Sequence, residues 1–201
     1  QNADAYYNKA QALSAIEKFA EAIECYDKAL EINPQNADAY YNKAQALSAI
    51  EKFAEAIECY EKALEIESDN VNALNKKAWY IANHFPKRLN EASEIIKKAI
   101  GLDPTNHNIM YTYGYTLYRL QTYKEAVLVY EHLIKQKPSF ANAWYDCARS
   151  KIKLDGKNLD KCIYDLQKAI DLNPDYKEKA KYDVDFQDFK NNPEFRKILG
   201  I

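Results

Sequence analysis

Apolar residues recur along this chain at helical spacing. Ala3, Tyr6, Ala10 and Leu13 are three and four positions apart, and so are Phe19, Ala22, Ile23, Tyr26, Ala29 and Leu30. The positions between them are mostly polar, the pattern of an amphipathic helix with one stripe to bury. A short polar turn around Glu17 and Lys18 parts the two runs, so together they predict a helical hairpin.

The hairpin is then written again. The stretch ADAYYNKAQALSAI stands at residues 3–16 and at 37–50, and residues 1–34 match 35–68 except at Asp27/Glu61, Asn33/Glu67 and Pro34/Ser68. Weaker copies follow, closed by Pro104, Pro138 and Pro174, which gives units 1–34, 35–68, 69–104, 105–138 and 139–174. The third and fifth units carry two extra residues each, within HFPKRLN (84–90) and LDGKN (154–158), both rich in turn formers. One hairpin of this size cannot bury its own stripe, whereas stacked copies can. The repeat therefore predicts an all-α solenoid of five hairpins, a single domain over 1–201.

The units resemble the tetratricopeptide repeat, whose pattern places an aromatic, a small residue and an apolar residue on a first helix, then alanine and an aromatic on a second, then proline. Unit one supplies Tyr6, Ala10, Leu13, Ala22, Tyr26, Ala29 and Pro34, and unit two repeats these through Ala63. Unit three has Leu74, Ala78, Ile81, Ala92, Ile96, Ala99 and Pro104; unit four has Met110, Gly114, Leu117, Tyr123, Ala126, Tyr130 and Pro138. Unit five has Trp144, Ala148, Leu159, Cys162, Leu166, Ala169 and Pro174. The resemblance covers 1–174 and implies a right-handed superhelix, non-catalytic, whose first helices line a concave groove. Lys9, Lys43 and Lys77 depart from the pattern, and their stems are expected to lie on the hairpin with the ammonium in water. Lys151 also breaks the apolar stripe. Residues 175–201 are not a repeat: a helical stretch, an Asn-Asn-Pro stop and an apolar end at Phe195, Ile198 and Leu199 resemble a C-terminal closing helix.

Composition narrows the function classes. The 201 residues are 29% charged and 47% hydrophobic, ordinary for a folded chain, and a net charge of −2 makes no case for nucleic acid or anionic membrane. No apolar run approaches the ~20 residues of a membrane span. The chain opens at Gln1 without a leader, which reads as a piece excised from a longer protein or an array of engineered copies. Cys25, Cys59, Cys147 and Cys162 lie far apart with no metal-ligand spacing, so reduced packing thiols and a cytoplasmic location are expected.

Catalytic chemistry has no visible address. His84, His107 and His132 stand alone in different units, and there is no phosphate loop, HExxH or G-x-S-x-G. The acidic stretch KYDVDFQDF (181–189) reads as a solvated helix face, since the spacing of a calcium loop is absent. No cofactor or metal is expected.

Carried over unit by unit, the resemblance implies a groove-lining row. Unit one offers Tyr7, Asn8 and Gln11; unit two offers Tyr41, Asn42 and Gln45; unit three offers Asn75, Lys76 and Trp79. Unit four offers Asn108, Tyr111, Tyr115 and Arg119, with Tyr118 beside them; unit five offers Asn142, Tyr145 and Arg149, with Lys153 beyond. Amides can pair with an extended backbone, tyrosines give rigid contact area, and Arg and Trp are frequent hot spots. The expected partner is a peptide segment or protein held as on an adaptor or scaffold. The two-carboxylate clamp on chaperone C-terminal tails is poorly matched, since Tyr7, Gln11, Asn42, Asn72 and Lys76 stand at its positions. The alternative is a structural or engineered array in weak head-to-tail self-association. There the bare first helix of one chain would meet Phe186, Phe189, Phe195 and Leu199 of another.

Overall fold

The computed structural model describes residues 2–155 and 159–201. The chain is a helical-repeat solenoid with five hairpins: α1 (Ala3–Ala15) with α2 (Phe19–Ile32), α3 (Ala37–Ala49) with α4 (Phe53–Ile66), α5 (Val71–His84) with α6 (Leu89–Leu102), α7 (His107–Arg119) with α8 (Tyr123–Gln136), and α9 (Ala141–Leu154) with α10 (Leu159–Leu172). The expected closing helix is divided in three: α11 (Asp175–Tyr182), a 3₁₀ segment (Val184–Phe189) and α12 (Pro193–Leu199). Packing divides the chain into two compact units, Gln1–Asp103 and Pro104–Ile201.

Each helix boundary has a local cause. Asn2, Asn36, Asn70 and Asn106 sit in the same place of four successive repeats, and each side-chain oxygen accepts from backbone N–H groups of the first turn. The hairpin turns close differently. Glu17 adopts φ 60°, its N–H donates to the Ser14 carbonyl at 3.0 Å, and the Lys18 N–H reaches the Leu13 carbonyl at 2.9 Å. This is a Schellman closure with a non-glycine residue in the left-handed region. Glu51 and Gln121 repeat it at φ 61° and 63°. In the third hairpin a 3₁₀ turn (Pro86–Arg88) takes its place, where the inserted residues predict a turn. Of the other inserted stretch, residues 156–158 lie outside the described residues.

In the first unit, α2 inserts between α1 and α3: Ala10, Ala22, Tyr26, Ala39 and Ala46 form one buried cluster. Small residues let the backbones approach, and Tyr26 fills what they leave. Ala44, Leu47, Ala56, Tyr60 and Ala73 repeat this one hairpin on. The identical helices α1 and α3 differ in what covers them. Ala39 and Ala46 are buried under α2, whereas Ala5 and Ala12 are exposed.

The second unit buries Leu117, Ala126, Tyr130 and Leu133 between α7, α8 and α9, and gathers a larger cluster around α9 and α10. That larger cluster takes in Phe186, Phe195 and Leu199, each 0% exposed. The apolar C-terminal surface expected to meet another chain is therefore consumed inside its own unit. Of the repeat-position lysines, Lys9 is exposed as expected, whereas the other two are paired. Lys43 pairs with Asp27 at 2.5 Å and Lys77 with Glu61 at 3.0 Å, so these ammonium groups end on carboxylates of the preceding second helix.

Candidate functional site

The first-helix row of the first unit is partly scaffold and partly surface. Tyr7 and Tyr41 are half-buried because each ring packs on the tyrosine of its own second helix, Tyr26 at 6.0 Å and Tyr60 at 5.6 Å. Gln11 Nε2 and Asn42 Nδ2 both donate to Tyr7 Oη at 2.9 Å, and Gln45 Nε2 donates to Asn42 Oδ1 at 3.1 Å. The Asn42–Tyr7 bond joins α3 to α1, and the other two, each within one helix, hold the outer amides in place. Asn8, Gln11 and Gln45 are exposed; Asn42, Asn75, Lys76 and Trp79 are half-buried. Asn75 Oδ1 is buried without a hydrogen-bond donor among the described residues.

In the second unit the row has another fate. Asn108 and Asn142 are exposed, and Arg119 Nη1 donates to Tyr115 Oη at 3.3 Å with both residues half-buried. Tyr111 Oη donates to Asp146 Oδ2 at 2.7 Å. Tyr145, expected to face a partner, is 0% exposed, stacked on Tyr176 at 4.5 Å. Its hydroxyl donates to Asp183 Oδ2 at 2.8 Å. Arg149 is no free surface cation either. Its Nη1 meets Asp146 at 2.9 Å, its Nε lies 2.8 Å from Asp185 and 3.2 Å from Asp183, and its Nη2 donates to Tyr118 Oη at 2.9 Å. Tyr118 donates to Asp185 as well, and Lys153 Nζ reaches that carboxylate at 3.1 Å.

The reason is the C-terminal segment, which folds back onto α9. The stretch KYDVDFQDF is thus not a solvated helix face: Asp185 and Phe186 are buried. Burial opposes ionisation of Asp185, but the Tyr118 hydrogen bond and the Arg149 charge prevail and hold its carboxyl below the usual range. Burial, and then the Asp183 carboxylate beside it, push the Tyr145 hydroxyl up, so it remains a donor. Asp183 and Asp185 are the site residues missed by the repeat pattern. Their signal was Arg149 and Lys153, four residues apart on one helix, facing two carboxylates two residues apart.

A separate surface cavity of about 550 Å³ opens on α8, α9 and α10, between Trp144, Tyr164, Lys151 and Asp165, and none of the row residues lines it. All four cysteines are buried and free, and burial pushes the Cys162 thiol up to about 12. Among the described residues no group of three metal-ligating side chains comes together, and no helix is long and apolar enough to cross a membrane.

The sequence signature of the tetratricopeptide repeat matches residues 3–36 and 37–70, and that of anaphase-promoting complex, cyclosome, subunit 3 matches residues 86–169. The chain is a tetratricopeptide-repeat protein. Among solved structures it is similar to YrrB, described as a TPR protein with an unusual peptide-binding site, at 26% identity over 85% of this chain and 86% of that one, TM-score 0.70. It is also similar in fold to MamA (20% identity, 90% and 96% covered, TM-score 0.74) and to the type IV pilus biogenesis factor PilW (18%, 98% of each chain, TM-score 0.73). No curated protein matches the chain.

Proposed function

We propose that this protein is a non-catalytic interaction module that holds an extended segment of a partner protein on the first-helix row of its first unit. The observation that carries this reading is the amide ladder Gln11–Tyr7–Asn42–Gln45, linked at 2.9 to 3.1 Å across two helices. Amides held in advance lose less freedom when they bind, which is where affinity for a flexible peptide is usually lost. Each amide keeps further donors and acceptors for a peptide backbone. Trp79 on α5 supplies the large rigid surface typical of a hot spot. YrrB, a similar TPR protein with a peptide-binding site, adds support by similarity.

The test is selection of displayed peptides on the immobilised chain, followed by calorimetry of the enriched peptides. Gln11→Ala/Gln45→Ala should weaken them measurably with unchanged helicity, because both side chains are exposed. Trp79→Ala should cost about 2 kcal/mol. Enriched peptides that bind these variants like the parent would place the site elsewhere.

A further inference from the structure

The first-helix faces of α7 and α9 in the second unit present four groups suited to carboxylates: the Tyr118 and Tyr145 hydroxyls, the Arg149 guanidinium and the Lys153 ammonium. All four are engaged by two aspartates two residues apart. Asp185 takes Tyr118, Arg149 and Lys153; Asp183 takes Tyr145 and the second approach to Arg149. The side chains of Asp185 and Arg149 are 3% and 17% exposed, burial that charged residues reach when paired. The next residue, Phe186, is 0% exposed and meets the Tyr145 ring edge-on at 5.8 Å. In chemical terms this is a receptor filled by an Asp-x-Asp-Phe segment.

The segment is anchored on both sides by other means. α11 and α12 pack on α10, α11 also stacks Tyr176 on Tyr145 of α9, and the 3₁₀ strap between them reaches α9 as well. Its hold on α7 and α9 consists of side-chain contacts, which any segment with the same side chains in the same order can reproduce. Two carboxylates meeting a guanidinium and phenolic donors also give orientation, because charge-assisted bonds to Arg are directional.

We infer that the paired faces of α7 and α9 form a binding site for a partner segment of Asp-x-Asp-Phe chemistry, which the chain's own residues 183–186 occupy as a tethered ligand. A short tether gives an effective concentration in the millimolar range, so a free peptide at micromolar concentration loses to the tail. Weakening the tail's two carboxylates hands the site to the competitor. This site shares no residue with the row on α1, α3 and α5, so either can fail without the other.

The experiment uses the full chain and a fluorescent peptide of residues 181–191 (KYDVDFQDFKN), read by anisotropy. Asp183→Asn/Asp185→Asn should bind the peptide at least about tenfold more tightly than the parent, and addition of Arg149→Gln should abolish that gain. A peptide with Asn at positions 183 and 185 should not bind. Equal binding by parent and variant, binding that survives Arg149→Gln, or a variant that only loses stability would overturn the inference, the last by making the strap a seal and nothing more. Dimers in sedimentation that excess peptide does not dissociate would overturn it too, by naming a second copy as the occupant. Should the double variant not fold, hydrogen exchange of the parent with excess peptide decides: faster exchange confined to 183–189 supports the inference, and unchanged exchange sinks it.

Discussion

The Tyr111 hydroxyl donates to Asp146 Oδ2 at 2.7 Å, and the same positions three hairpins earlier are joined the other way round, by Asn42 Nδ2 donating to Tyr7 Oη at 2.9 Å. In both cases a tyrosine seated inside one hairpin reaches a polar side chain 35 residues on, so the bond rivets neighbouring first helices. The two rivets differ in burial: Asp146 is 4% exposed and ionic, whereas Asn42 is half-buried and neutral. Tyr111→Phe should therefore cost about 1.5–3 kcal/mol, the range of a bond to a charged group, and Tyr7→Phe about 0.5–1.5 kcal/mol. Urea unfolding of both variants beside the parent checks this. Equal losses would mean that the charge on Asp146 contributes nothing to the joint.

Three hairpin turns place Glu17, Glu51 and Gln121 at positive φ, where a side chain crowds the following carbonyl. Glycine is the usual residue at this position of a Schellman closure. Each of Glu17→Gly, Glu51→Gly and Gln121→Gly should raise stability, by up to about 1 kcal/mol after the entropy glycine regains in the unfolded chain. The gains should add, because the turns share no partners. Thermal melts of the triple variant that show no increase would mean that these side chains make compensating contacts.

The repeat itself was legible because helical periodicity and a 34-residue recurrence state the same fact twice, and Tyr26, Tyr60 and Tyr130 fall where the pattern needs a bulky filler. The row of first-helix residues was legible as a set of positions but not as a surface. A tyrosine at position 7 and its equivalents shows an aromatic, yet whether its ring lies outward or on the second helix depends on tertiary packing. Tyr145 illustrates the limit. Beside the buried cluster of its own repeat, residues 176, 183 and 186 of the tail complete its cover. A non-repeating tail has no period to announce its destination, and alternation of acids with aromatics reads equally as solvated surface or as a charge-paired strap.

Lys151 replaces the leucine or isoleucine of the other hairpins, and Asp165 replaces their Cys25, Cys59, Ile95 or Val129. The pair lies 2.7 Å apart at 15% and 4% side-chain exposure, with Glu131 also 3.0 Å from the ammonium. Burial pushes the Asp165 carboxyl up, and the Lys151 hydrogen bond and charge oppose that shift. Lys151→Leu alone strands a buried carboxylate and should cost about 3–5 kcal/mol. Lys151→Leu/Asp165→Val restores the apolar pair of the other repeats and should be neutral or stabilising by about 1–4 kcal/mol. Chemical denaturation of the two variants separates the cases. A double variant as unstable as the single would show that the ion pair orders this hairpin in a way leucine and valine cannot.

The strap carries a pH signature whose sign is fixed by Asp185. Its carboxyl is held below the usual range in the folded protein, against burial, by Tyr118 and Arg149. The native state therefore favours the ionised form, and the resulting stabilisation is fully present above the unfolded value of about 3.9. It is lost as pH falls through the lower folded value, where the carboxylate gains a proton and Arg149 loses a partner. Above about pH 5 the parent should exceed Asp185→Asn in melting temperature by a constant margin, and below about pH 4 that margin should shrink. Added salt at pH 7 should change the margin little, because Asp185 is buried at 3% side-chain exposure and screening acts chiefly on exposed charges. Calorimetric melts of the two proteins across this range are the measurement. A margin that stays flat into acid, or that grows as pH falls, would mean that the tail is held by Phe186 and its apolar neighbours and that the Asp185–Arg149 pair adds nothing to its docking.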